Sequence, residues 1–425
     1  MNDAVRRGAI GSVTGSRLWD LMLVGLAAAV IGLLIAWPFV HMSLNGDHYV
    51  YLARHFVRGS LNVDDLPSIY GDDVIWRGHK YLPFGPLPAV LLVPFLPLTR
   101  AGVPIVVAAF CLTIVNVLVF YRALERAAVA DERRYWVTLL YFAGTVYLSV
   151  TLVGISTYFA HVVVTALLLL AVYEMLGRRR LALIGILVGL AGAARLTAVF
   201  SLPFFIWIMR YDSVALDVQN LTDQTMVSSP RARVLLRRLS LLLGGVALPM
   251  LLVGLYNYAR FGNLFDTGFG RAEMYEPFLE KARSAGLFSL AHVPKNLFVM
   301  LLQGPQLVGG VNVPVVHFPY IEPSPWGMGL FFTSPALVYV FRAKLKEPLV
   351  QACWLATLSV LVPIITYYGI GFVQFGYRYA LDFMPFLLLL VARGFPRPVT
   401  NSARILVVIS VLINVWGAVT LSTWI

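Results

Sequence analysis

Residues 21 to 40, LMLVGLAAAVIGLLIAWPFV, run for twenty positions without a charge and give way to HMSLNGDHYVYLARHF. Twenty residues at helical rise cover the roughly 30 Å hydrocarbon layer of a bilayer. The run therefore predicts a membrane helix and sets Asp47 just beyond its end, at the bilayer surface. An ionisable group costs roughly 2.5 to 3.5 kcal/mol at the centre of a membrane helix and less towards the interface, so a working role is the default reading of Asp47. A helix cap is the other reading. Gly46 and Asp47 precede an amphipathic run with Tyr49, Leu52, Ala53, Phe56 and Val57 on one side and Arg54, His55 and Arg58 on another. One carboxylate can do both.

Composition removes most other classes. With 59% hydrophobic residues, 13% charged and a mean hydropathy of +0.79, a soluble fold is excluded for these 425 residues. The sequence predicts an all-α polytopic membrane protein. A net charge of +12 would also suit nucleic acid, but its distribution follows the positive-inside rule, and no nucleic-acid partner is expected.

Spans are expected at 19–41, 103–121, 135–153, 156–176, 181–194, 196–209, 239–258, 327–341, 348–368, 379–392 and 405–423, about 11 helices with the N-terminus inside. Residues 181–209 read either as two short helices or as one kinked helix. On this map 21 of the 33 Lys and Arg fall on the cytoplasmic side. The chain then forms a single membrane domain over 1–425. It has a first external loop at 42–102 carrying interfacial juxtamembrane helices, a cytoplasmic loop at 211–238 and a second large external loop at 259–326. The basic N-terminus before a long apolar run predicts a retained signal anchor.

Residues 84 to 99, FGPLPAVLLVPFLPLT, are apolar, but Pro86, Pro88, Pro94 and Pro97 break a continuous helix. A re-entrant or interfacial segment is expected. Irregular backbone at membrane depth must be buried in protein or line a cavity, which implies a cavity beside Asp47. Cys111 and Cys353 fall inside expected spans and form no metal motif, and the one glycosylation sequon, at Asn220, lies on the cytoplasmic side.

Polar chemistry concentrates in the external loops. The first holds Asp47, Asp64, Asp65, Asp72 and Asp73 with His48, His55 and His79; the second holds Asp266, Glu273, Glu276, Glu280 and Glu322 among several Arg and Lys. Paired carboxylates suit Mg²⁺, Mn²⁺ or Ca²⁺, so Asp72 and Asp73 are candidate ligands of a divalent cation, against the plainer reading of solvated turn residues. His161, in ISTYFAHVVV, lies near the external end of a span and needs a partner there. Arg378, in GFVQFGYRYALDFMPF, stands at a helix start between Tyr377 and Tyr379, and its forked donors suit a phosphate. Arg195, in GLAGAARLTAVF, is a second arginine near membrane depth. The alternative for either is snorkelling, or pairing with a helical carbonyl or Asp382.

These segments resemble the integral-membrane glycosyltransferases of the GT-C superfamily that use polyprenyl-phosphate sugars, in particular the protein mannosyltransferase and aminoarabinose transferase branch. In that family an aspartate follows the first membrane helix and opens a juxtamembrane helix, as Asp47 does in GDHYVYLARHF. A proline-rich half-helix follows, as in GHKYLPFGPLPAVLLVPF; GLAGAARLTAVF, YNYARFGNLFDTGFG and FGYRYALDFMPFLLL are looser matches. Many relatives place a lysine immediately before those prolines, whereas Lys80 lies three residues before Pro83. The resemblance implies transfer of a sugar from a polyprenyl-phosphate donor to an acceptor hydroxyl on a glycan, lipid or protein, at the external face of a membrane, a bacterial plasma membrane being expected. It assigns Asp47 as general base, Arg378, Arg195 and Lys80 to the donor phosphate, and His48, Tyr51, His79, Tyr81, His161, Tyr377 and Tyr379 to the substrates. Inversion follows if the displacement is single. The rival from another class is a lipid or solute transporter or flippase, which many helices and a broken segment also suit; a membrane acyltransferase or polysaccharide polymerase has only His161 in its favour.

Overall fold

The computed structural model describes residues 32, 47–67, 71–101, 103, 105–154, 156–211, 230–271, 277–308 and 319–424. All of the expected first span at 19–41 except Gly32 lies outside them, as do Asn220 and most of the 211–238 loop. The described residues are mostly helical. Five helices are long and apolar enough to cross a membrane: Ile105–Arg126, Ser156–Met175, Arg233–Phe261, Pro348–Thr366 and Asn401–Trp424. A sixth crossing results if Asp131–Ala143 and Tyr147–Val153, bent by 46° at their junction, are one span. The protein is thus an integral membrane protein, with six crossings at most on length and composition among its described residues.

Other expected spans are shorter or broken. Leu181–Ala194 and Leu196–Tyr211 are two short apolar helices. They part at Arg195, whose backbone is extended (φ −147°, ψ 115°). Over 379–392, only Met384–Gly394 is α-helical, and a 3₁₀ turn, Arg378–Asp382, precedes it. Pro385 fits only the first turn, where its missing N–H is not needed.

The helix expected at 327–341 is absent. A strand Trp326–Met328, a four-residue helix Leu330–Thr333 and a 3₁₀ helix Pro335–Arg342 replace it. Gly327 has φ +96°, and Met328 pairs with Gly376 across a parallel ladder between Trp326–Met328 and Gln374–Gly376. Small β elements therefore correct the purely helical expectation. Gln306–Leu307 pairs with Ile321–Glu322, and Val74–Trp76 with His79–Tyr81. The latter hairpin turns at Arg77 and Gly78, both at positive φ (53° and 85°), the combination that a tight two-residue turn requires.

Close helix packing carries the bundle. Leu181–Ala194 lies against Pro230–Phe261 so tightly that a Cβ on Gly185 would fall 2.1 Å from the Leu242 carbonyl oxygen, and one on Gly245 2.4 Å from that of Ala182. Without a hydrophobic drive between helices in lipid, such small-residue contact is the main source of association.

The proline-rich segment forms a short apolar helix, Leu87–Arg100, with a 3₁₀ turn at Val93–Phe95. At 1.5 Å per residue it reaches roughly 21 Å, short of a bilayer. Exposed Arg100 and exposed Arg77 should consequently lie on one membrane face. Cysteines introduced singly at these positions, in a chain with Cys111 replaced by alanine, should react with an impermeant maleimide from the same side of sealed vesicles. Labelling from opposite sides would make this helix a crossing and invert every later loop.

Candidate active site

Asp47 caps the helix His48–Val57. Its Oδ1 accepts from the Tyr49 N–H at 3.0 Å and from the Ser156 N–H at 2.9 Å, so one oxygen joins the first loop to the start of Ser156–Met175. The other oxygen, Oδ2, is buried with no hydrogen-bond partner, and the residue is 1% exposed. Burial pushes its carboxyl above the usual aspartate range, against the opposing pull of His48 and of the two N–H donors. The capping reading is met by Oδ1, and Oδ2 is left spare.

The first two turns of Ser156–Met175 gather the rest. Two residues past Ser156, the Tyr158 ring lies 4.6 Å from the Arg378 guanidinium, and its hydroxyl donates to the Val373 carbonyl. Arg378 is 8% exposed; its Nη1 donates to the Phe372 carbonyl at 3.2 Å and its Nε has no partner. One turn further on, His161 Nδ1 lies 3.2 Å from Asp382 Oδ1. Asp382 is fully buried and accepts from Arg195 Nε at 2.9 and 3.0 Å and from the Thr197 hydroxyl. Tyr379 completes the group: its ring lies 5.2 Å from the Arg195 guanidinium, 6.0 Å from the His161 ring and 5.8 Å from Tyr377.

Backbone strain collects at the same place. Ser156, Asp72 and Val373 hold positive φ of 49°, 57° and 47°. A β-branched residue there is a genuine outlier, and such conformations persist where surrounding contacts enforce them, commonly at functional sites.

The broken segments converge too. A Cβ on Gly85, in the Phe84–Gly85–Pro86 turn, would lie 2.3 Å from the Ala193 carbonyl oxygen and 2.7 Å from that of Ala194, immediately before Arg195. Both clashing atoms are backbone and cannot swing away. Gly85→Ala should cost about 1 to 3 kcal/mol of stability through overpacking, read as a lower midpoint in a thermal melt of the detergent-solubilised protein. An unchanged midpoint would mean that the two segments do not touch.

Other expected contacts lie elsewhere or are already engaged. Lys80 Nζ donates to the Leu66 carbonyl at 3.2 Å and lies 4.0 Å from Asp73 Oδ2. His79 bonds Asp64 at 2.8 Å on an exposed edge of the hairpin, and Tyr81 packs on Phe261. Tyr51 lies under the Arg54 guanidinium. His48 Nε2 is 3.2 Å from the Gly71 carbonyl oxygen, and its ring meets Phe84 edge-on. Arg195, expected at a phosphate, has its Nε committed to Asp382. Asp72 and Asp73 gather no third His, Cys, Asp or Glu into a group that would hold a metal, among the described residues. Sequence reasoning passed over Ser156, Tyr158 and Thr197. It gave no role to Arg260, a buried arginine that donates to the Leu82 carbonyl and to Asn257 and so fixes the chain just before Phe84.

What fold and site define is a helical integral membrane protein with a buried carboxylate, two arginines and a tyrosine cluster assembled around one helix start. No family model matches the chain, and no curated protein does. Among solved structures it is similar to the archaeal oligosaccharyltransferase AglB from Archaeoglobus fulgidus in complex with an inhibitory peptide and a dolichol-phosphate, with a TM-score of 0.45 and 12% identity. The match covers 95% of this chain and 56% of that one, so the chain spans little more than half of that protein's length. At that depth of likeness, function must rest on the residues of the site.

Proposed function

We propose that the chain is a membrane glycosyltransferase that moves a sugar from a polyprenyl-phosphate donor to an acceptor hydroxyl at the external face of a bacterial plasma membrane. The observation that supports this most is the spare, buried Oδ2 of Asp47, held on the same helix start that holds Arg378. A carboxylate with one oxygen fixed and the other desolvated is positioned to take a proton, and its raised pKa brings it nearer working pH. In the step proposed, Asp47 Oδ2 takes the proton of the acceptor hydroxyl while the acceptor's oxygen bonds to the anomeric carbon. The bond from that carbon to the phosphate oxygen breaks, and its electron pair leaves with polyprenyl phosphate. The anomeric centre inverts. Arg378 meets the charge that grows on the leaving phosphate, with the outer nitrogens of Arg195, oriented by Asp382 and Tyr379, as the second contact.

Asp72 and Asp73 belong to no group of three or more His, Cys, Asp or Glu among the described residues, and no step is routed through a cation. Transfer should be measured with purified protein in liposomes given a polyprenyl-phosphate sugar and a panel of hydroxyl acceptors. Product formation supports the reading. Failure with every donor, together with movement of lipid or solute across sealed vesicles, would replace it with the transporter reading, which the helix break at Arg195 also suits.

A further inference from the structure

Two adjoining cavities lie beside the strand that leads into Arg378. The larger, about 430 Å³, is lined by Lys295, Gln303, Gln306, Ser324 and Trp326 among others. The second, about 290 Å³, shares Gln306 and adds Glu322, Val373 and Trp424. Both are open to the surface rather than enclosed, the form of a groove that takes a chain. Neither has been given a role above.

Their lining has a definite chemistry. Two glutamine amides and a serine hydroxyl offer both donors and acceptors, and two indoles offer flat apolar faces. A pyranose presents that same alternation, hydroxyls around its rim and C–H bonds on its faces. Lys295 in the first cavity is balanced by Glu322 in the second, so an uncharged chain suits the pair better than a phosphate, which would call for clustered arginine.

The cavities are coupled to the catalytic group through rigid contacts. The Trp326 and Phe372 rings meet at a tilt with centroids 4.5 Å apart, and the Phe372 carbonyl accepts from Arg378. Trp326 also pairs in the parallel ladder with Gln374, whose Nε2 donates back to the Trp326 carbonyl at 2.8 Å. Val373 lines the second cavity, and its carbonyl takes the hydroxyl of Tyr158, the ring that carries Arg378. A chain lying here would run along the segment Phe372–Gln374 towards the site.

We infer that the two cavities form one track that binds the saccharide chain of an uncharged glycan acceptor; this rests on the transferase reading. A carbohydrate here has two possible sources, acceptor or donor sugar, and competition separates them. The full chain in nanodiscs is titrated with mannotriose, chitotriose and galactotriose, with binding read by saturation-transfer NMR. At least one trisaccharide should bind, and saturating polyprenyl-phosphate sugar should not displace it. Gln303→Ala with Gln306→Ala should weaken binding about tenfold, and Trp326→Phe should weaken it less, while the dependence of transfer on donor concentration stays as in wild type. Transfer by wild type with no trisaccharide bound would overturn the track and leave the transferase reading standing. Binding unaltered in the double variant, or displaced by donor, would overturn it as an acceptor site. Trisaccharide binding with no transfer from any donor would overturn the transferase reading and the acceptor role with it.

Discussion

Asp47→Asn should abolish transfer while the protein still folds and inserts. Asparagine keeps an oxygen for the Tyr49 and Ser156 N–H groups, so the cap and the tie to Ser156–Met175 persist. It has no basic site for a proton, and removal of a general base commonly costs 10² to 10⁴-fold in turnover, roughly. Stability should move the other way. Burial raises the Asp47 pKa above its unfolded value, so the stability linked to this group is complete below the ordinary aspartate pKa and is lost as pH rises through the folded one. At neutral pH the ionised carboxylate is therefore a cost that asparagine lacks. The variant should melt at or above the wild-type temperature at pH 7, with the gap closing in acid. In wild type, kcat/KM should fall on the acid side at a pH above the usual carboxylate range. Near-normal turnover of Asp47→Asn would remove Asp47 as the base.

The sequence exposed Asp47 because an acid directly after an uncharged span stands out against a fixed bilayer thickness. Arg195, His161 and Arg378 were visible for the same reason, as ionisable groups in apolar surroundings. Of their partners only Asp382 was, as the alternative for the two arginines. Asp47 reaches a backbone N–H 109 positions away, and no side-chain pattern encodes that contact. Arg195 meets Asp382 across 187 positions, so of its two readings the pairing with Asp382 holds for its Nε, and only its outer nitrogens remain for a phosphate. Residues 327–341 misled for another reason. A largely apolar stretch whose side chains are buried on one side and exposed at Phe332, Val338 and Phe341 on the other loses the periodicity that separates helix from strand, and only Gly327, Gly329, Ser334 and Pro335 hinted at the break. Lys80 was carried by the resemblance in spite of its distance from the prolines, whereas the tight turn at Arg77 and Gly78 folds it back towards Leu66 and Asp73.

Arg378→Lys should keep the charge and still weaken use of the donor. The guanidinium is held by its Nη1 on the Phe372 carbonyl and by its face on Tyr158, which leaves Nε without a partner and the planar fork fixed in orientation. A phosphate that meets this fork can be bound through two parallel N–H bonds; an ammonium is a point charge and cannot reproduce the pair. Arg378→Ala should do worse. Losing a charge-assisted contact to a partly buried phosphate removes roughly 1.5 to 3 kcal/mol, or about ten- to a hundredfold in affinity. The effect should appear in the KM for donor, with the KM for acceptor almost unchanged, since Asp47 and its tie to Ser156 are untouched. Arg378→Ala also gives up the Tyr158 contact, so its melting temperature must be followed alongside. Arg378→Lys controls for that loss, because it retains a cation over the ring. The assay is initial-rate transfer in matched liposomes, with donor and acceptor varied independently. If both variants match wild type in donor dependence, Arg378 serves only to brace Tyr158 and the strained Val373, and the phosphate must be met by Arg195.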